Sequence, residues 1–285
     1  MNRFDMLFNN EDVDKDFLAQ NSNLTTEQID LLYSTEGVDK DYLAENTKLT
    51  DEQFMRFFNE ENESLAANPH LTTEQIDLLY STNLAHKDRL AQYSHLTDEQ
   101  FNRFFNDADV YINYLAANRH LTTEQIDLFY STEGVDKDRL AQNSKLTDEQ
   151  FNRFFNDAEV GRLSQNSHLT TEQIDLLYST EDTDKDYLAE YSHLTDEQFN
   201  RFFNDEYVDK DYLAQNSHLT TDQIDLFYST EGVDKDYLAL NSKLTDEQFN
   251  RFFNDEDVDK TFLALNPSIN PLYPTNRTGI INWMW

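Results

Sequence analysis

The chain has no cysteine, which removes disulfides, thiolate nucleophiles, iron–sulfur clusters and thiolate zinc sites together. Only histidines and carboxylates are left to hold a metal. Glycine occurs five times in 285 residues and never as a Gly-rich phosphate loop. Basic side chains are scarce, 22 against 56 acidic ones, for a formal net charge of −34, and this excludes a nucleic-acid binder of the usual basic kind. No window approaches the run of about 18 apolar residues that spans a membrane, and Met1 to Asn10 mixes Asp5 and Asn9 into its apolar residues where a signal peptide needs an unbroken run. The expectation is a soluble, cytoplasmic protein, in its own or a host's cytosol, with no membrane partner. Apolar material is not lacking: 38% of residues are hydrophobic, with 21 Phe and 15 Tyr, too many for a disordered chain.

What fills the chain is one repeated unit. The string Leu-Thr-x-Glu/Asp-Gln begins at Leu24, Leu49, Leu71, Leu96, Leu121, Leu146, Leu169, Leu194, Leu219 and Leu244, at intervals of 25, 22, 25, 25, 25, 23, 25, 25 and 25 residues. Two flavours alternate, LTTEQIDLLYSTEGVDKDYLAENTK from Leu24 and LTDEQFNRFFNDEYVDKDYLAQNSH from Leu194, so the duplicated unit is about fifty residues long. An opening fragment from Phe4 matches the second flavour without its leading LTDEQ, and the pattern is lost after Pro267.

Each unit starts with a capping box, because Thr25 accepts from the amide three residues on while Gln28 reaches back to the Thr25 amide. Ile29, Leu32 and Tyr33 in one flavour, and Phe54, Phe57 and Phe58 in the other, stand at i, i+3, i+4 and form one apolar stripe on a helix of roughly three turns. Gly37, Gly134 and Gly232, or a pair such as Asn204-Asp205, break that helix, and a short second one follows around Asp39 to Ala44. Neither helix buries its stripe alone, whereas stacked neighbours share a core. The expected fold is all-α, an α-solenoid of about eleven helix-turn-helix repeats of 22–25 residues. It divides into a truncated capping repeat over 1–23, ten units over 24–268 and an aromatic capping tail over 269–285. The units from Leu49 and Leu146 lack three and two residues in the turn between their helices, where a solenoid tolerates deletion.

Leu65-Ala66-Ala67-Asn68-Pro69-His70-Leu71-Thr72 resembles the motif of the variant leucine-rich repeat family, and the likeness extends over roughly residues 4 to 268. The resemblance implies a curved stack in which each unit pairs an α-helix with a shorter 3₁₀-type helix. Most units carry Ser where the family favours Pro, as at Ser167 and Ser217. It implies fold alone, since such repeats serve varied partners.

Carboxylate pairs recur about equally in every unit, whereas an active site is a unique constellation, so no enzyme and no cofactor are expected. Six histidines (His70, His95, His120, His168, His193 and His218) precede the Leu of the box, where Lys48, Lys145 and Lys243 also sit. Helices stacked about 8–10 Å apart keep neighbouring histidines from sharing one metal, with its ligands at about 2 Å. A further position alternates Leu31, Arg56, Leu78, Arg103, Leu128, Arg153, Leu176, Arg201, Leu226 and Arg251. It reads either as Leu covering a neighbour while Arg pairs with the Asp30-type acid next door, or as an exposed ridge for a partner.

Some acids, such as Glu27, sit in a first helical turn, where the macrodipole favours them. The surplus lies in the turns and second helices: Glu11, Asp12, Asp14 and Asp16; Asp39 and Asp41; Asp136 and Asp138; Glu181, Asp182, Asp184 and Asp186; Asp205, Glu206, Asp209 and Asp211; Asp234 and Asp236; Asp255, Glu256, Asp257 and Asp259. Stacking should align them in rows that bind a basic protein. Eleven layers at about 9 Å give an open rod of about 100 Å, over which duplex DNA carries roughly 60 phosphates, against 56 acids here. By charge alone the chain is similar to acidic DNA-mimic inhibitors, which implies a decoy that fills the basic cleft of a nucleic-acid-handling enzyme, for instance of a phage-defence system, without binding nucleic acid itself. A general scaffold that binds by shape is the alternative, and salt adaptation a third reading. Trp283 and Trp285 in the tail form a hydrophobic patch that serves as a cap, a homodimer contact or a partner anchor.

Overall fold

The computed structural model describes residues 2–82, 86–142, 145–157, 160–240 and 243–270; Trp283 and Trp285 lie outside the described residues. Every regular element among these is helical, and no helix is long and apolar enough to cross a membrane. The repeat is the expected one: a first helix of eight or nine residues, such as Thr26–Ser34 or Asp51–Asn59, then a turn and a shorter helix such as Lys40–Asn46. Both halves of the capping box form in all ten units, from Thr25 to Thr245.

Packing follows the stripe. Ile29 and Leu32, like Phe54 and Phe57, are buried, as are Leu43 and Ala44 of the short helix. The Phe side chains also meet ring to ring: Phe101 and Phe199 approach Phe129 and Phe227 edge-on at 5.7 and 5.8 Å. Gly37, Gly134 and Gly232 take φ of +84° to +87° in the turn, a region glycine enters at no steric cost. The unit with the three-residue deletion solves its turn differently. Glu61 adopts φ +57°, and the second element becomes a 3₁₀ helix, Glu63–Ala67. The described second elements of the other complete units are short α-helices, so the 3₁₀ form implied by the variant leucine-rich resemblance occurs where its motif is most complete, just before Pro69.

Neighbouring repeats are tied by two amide side chains. In the second flavour the Asn that ends the second helix donates into the repeat before it: Asn68 to the Ala44 and Thr47 carbonyls at 2.6 and 2.9 Å, and Asn216 to those of Ala189 and Ser192 at 2.6 and 2.8 Å. Several box glutamines do the same for the first helices. Gln198 reaches the Thr171 carbonyl and the Asp175 carboxylate, while Gln75 and Gln173 reach Asp51 and Asp148 at 3.2 and 3.1 Å.

The chain forms two compact units, Met1–His95 with Ala239–Trp285, and Leu96–Leu238. The second is an uninterrupted run of repeats. The first joins the beginning of the sequence to its end, and the opening half-repeat stacks on the repeat from Leu244 as if it were the next in line. Asn21 donates to the Ala264 and Asn266 carbonyls at 2.8 and 2.9 Å, and Arg3 reaches Asp246 at 2.7 Å. The length estimate above supposed a stack with two free ends. Residues 2–23 and 244–270 instead cover each other, burying Phe4, Leu7 and Leu18 on one side and Phe252, Leu263 and Ile269 on the other.

Candidate partner-binding face

The acids fall into three groups once their local partners are known. The first caps the short helices. Asp14, Asp39, Asp136, Asp184, Asp209, Asp234 and Asp259 each accept from the amide two residues on, at 2.9 to 3.1 Å, as N-cap carboxylates do. Each remains exposed on its outer side. The second group sits two residues further on. Asp16, Asp186 and Asp211 accept from the Asp39, Asp209 and Asp234 amides of the following repeat at 2.7, 2.8 and 2.9 Å, and Asp41 accepts from Asn62. These bonds carry the row from one repeat to the next. Burial, with neighbouring aspartates adding to it, pushes the Asp186 and Asp211 carboxyls above their ordinary value. Asp138 pairs with Arg162 at 3.5 Å, and Asp236 stands half-buried on its short helix.

The third group lies in the turns. Glu11, Asp12, Glu181, Asp182, Glu206, Glu256 and Asp257 are exposed. Asp205 faces inward: it accepts from the Tyr178 hydroxyl at 2.6 Å, the Tyr207 amide at 2.9 Å and Lys185 at 3.0 Å. Those donors, the Tyr178 hydroxyl foremost, hold its carboxyl down at about 2. Asp255, half-buried at the equivalent place, accepts from the Asp257 amide. The sequence-based row thus includes Asp205, which the fold itself occupies.

The lysines of the Asp-Lys-Asp turns fold back onto the protein. In one flavour the Lys of Asp-Lys-Asp chelates the carbonyls of its own turn, as Lys15 does at Asn10 and Val13 (2.8 and 2.7 Å) and Lys210 at Asp205 and Val208 (2.8 and 2.9 Å). In the other it lies over a Tyr ring whose second face takes an Arg from the next repeat. Lys40 and Arg56 flank Tyr33 at 4.3 and 4.4 Å, Lys137 and Arg153 flank Tyr130 at 4.3 and 4.0 Å, and Lys185 and Arg201 flank Tyr178 at 4.3 and 4.2 Å. The same arginines pair with the preceding repeat, Arg56 with Asp30 at 2.7 Å, Arg201 with Asp175 at 2.5 Å and Arg153 with Asp127. At Arg56, Arg153 and Arg201 the Leu–Arg alternation is thus a pairing with the repeat next door. Leu31, Leu128, Leu176 and Leu226 do not cover a neighbour fully; they stand 40–43% exposed.

Two features were not legible beforehand. The shortened turn of the unit from Leu49 opens a groove of about 720 Å³ lined by Asp39, Asp41, Glu60, Glu61, Glu63, His86 and Arg89 among others. Tyr111 and Tyr207 project from the acidic turns with 72% and 78% of their surface exposed. The histidines also depart from expectation: the His193 and His218 rings stack at 4.6 Å, closer than helix spacing suggested, because side-chain tips converge where axes do not. The ring planes lie 21° apart, so their in-plane lone pairs do not converge on a single ion, and among the described residues no three His, Asp or Glu side chains gather where a metal would sit.

No family model, no curated protein and no solved structure matches the chain.

Proposed function

We propose that the protein binds a basic partner through its acidic row and that the partner is a nucleic-acid-handling enzyme whose cleft the row fills in place of nucleic acid. In this reading the role is inhibition by mimicry in a cytoplasmic setting, and no catalysis is involved. The observation that carries it is the continuity of carboxylates from repeat to repeat, Asp184–Asp186–Asp209–Asp211–Asp234, with the lysines of the Asp-Lys-Asp turns drawn onto turn carbonyls and Tyr rings. Folding does not demand this charge. At the equivalent N-cap, Asn62 caps as well, and His86 and Tyr111 make no side-chain cap at all. Crowding like charges opposes folding, so a use in binding accounts for the row where stability does not. The match of 56 acids to the phosphates of an open rod no longer contributes, since the first and last repeats stack on each other.

The repeat is proposed to be of the variant leucine-rich type on the strength of Leu65 to Thr72, which bears on display of the row and not on its use. The half-exposed Leu31, Leu128, Leu176 and Leu226 favour a second reading, a scaffold that holds its partner by apolar contact.

Isosteric neutralisation separates the two. Asp184, Asp186, Asp209, Asp211, Asp234 and Asp236 changed together to Asn keep the caps, because Asn and Asp cap equally well, and remove six charges. Proteins that a DNA-cellulose column retains from a host lysate are offered to the immobilised wild type and to the variant. The mimic reading expects capture by the wild type and little by the variant, at a melting temperature no lower than the wild type's. Equal capture by both sinks it in favour of the scaffold.

A further inference from the structure

We propose that the joint between the opening half-repeat and the repeat from Leu244 is a reversible closure, locked by Arg3, that opens while the repeat interfaces within each unit stay packed. The proposal does not depend on the functional reading above.

The joint copies the repeat interface position by position. Asn21 takes the role of Asn68 and Asn216, with its amide on the Ala264 carbonyl as theirs is on Ala44 and Ala189. Aligning FDMLF with FNRFF places Arg3 where every complete unit has the Gln of its capping box. Arg3 reaches Asp246 as Gln75 reaches Asp51 and Gln173 reaches Asp148.

Two differences make this interface the one that parts. Sequence-adjacent repeats are joined by a turn, so separating them strains the chain, whereas Asn21 and Ala264 are 243 residues apart and parting them costs only the contacts of the joint. The joint also replaces a neutral amide with a buried cation. The Arg3 guanidinium, 7% exposed, donates to the Ser268 carbonyl and hydroxyl at 2.9 and 2.8 Å, the Leu244 carbonyl at 3.0 Å and Asp246, and lies 4.8 Å from the Phe249 ring centre. Its counter-charge, Asp246, has 84% of its side chain in solvent, where salt screens it. The lock is therefore strong in bond number and sensitive to charge.

Hydrogen exchange on the full chain, read by mass spectrometry, tests this with Arg3→Glu and Arg3→Gln. The short helices Lys15–Ala19 and Lys260–Leu265 flank the joint, and Lys40–Asn46 reports an interior interface. Wild-type flanks should exchange faster than Lys40–Asn46, and faster still at about 1 M salt than at about 0.05 M. Arg3→Glu, set against Asp246, should speed both flanks about tenfold or more and leave Lys40–Asn46 unchanged, the signature of local opening. Arg3→Gln, which supplies the residue the other repeats use, should stay within about threefold of wild type. Flanks that exchange no faster than Lys40–Asn46 and ignore salt in the wild type overturn the closure, whatever becomes of the variants. So does an Arg3→Glu effect spread over all repeats, and an Arg3→Gln as open as Arg3→Glu overturns the Gln-equivalent lock.

Discussion

Replacing Asn216 by Ala is the most direct probe of what holds one repeat to the next. Asn216 is 2% exposed, donates to two carbonyls of the preceding repeat at 2.6 and 2.8 Å, and accepts from the His218 amide at 2.8 Å. Three bonds at a net worth of about 1 kcal/mol each come to about 3 kcal/mol, and more if water does not reach the orphaned Ala189 and Ser192 carbonyls, at about 1–3 kcal/mol for each buried group left unpaired. For a cooperative unit of this size, about 2–4 °C per kcal/mol predicts a melting temperature lower by about 6–12 °C. Asn204→Ala is the control. Its amide bonds the Asn200 carbonyl at 2.7 Å on an exposed helix face, and its loss should cost under about 0.5 kcal/mol. Circular dichroism melts of both variants read the difference. A shift below about 2 °C for Asn216→Ala, or one equal to the control, refutes the assignment of inter-repeat strength to this amide.

Acid should act with two signs. Asp205, at about 2, and Asp30, Asp127 and Asp175, lowered by Gln and Arg donors of the next repeat, contribute stability that is present above the unfolded value of 3.8 and lost as pH falls through their folded values. Asp186 and Asp211, raised chiefly by burial, contribute stability present below 3.8 and lost as pH rises through their folded values. The loss of stability between about pH 4 and about pH 2 should therefore be smaller in Asp205→Asn than in the wild type, read as urea midpoints, and an equal loss in both contradicts this. Glu61→Gly should stabilise by about 1 kcal/mol, because a side chain at φ +57° pays a left-handed penalty that glycine avoids; a lower urea midpoint refutes it.

The fold was readable because its determinants are local and repeated. Thr25 and Gln28 find each other across three residues, and the period of Ile29, Leu32 and Tyr33 fixes the buried face before any tertiary contact forms. The acidic site was readable in composition and only partly in direction. Asp205 and Glu206 look alike in sequence; what turns Asp205 inward is Tyr178, 27 residues earlier, and Lys185, 20 residues earlier. The end-to-end joint escaped notice because the opening fragment lacks the LTDEQ that marks every other unit, and Arg3 stands where a Gln would have revealed the register. The groove at Glu61 depends on how a deletion is absorbed, which composition does not encode.

The central claim is competition for one cleft, and a displacement titration tests it most directly. A captured DNA-binding partner is loaded with labelled duplex DNA and titrated with the protein while fluorescence anisotropy follows the label. Mimicry through the acidic row predicts full release of the DNA, with an apparent affinity that weakens steeply as salt rises. A ternary complex that keeps both DNA and protein, with no displacement at any salt, contradicts it however tightly the protein binds.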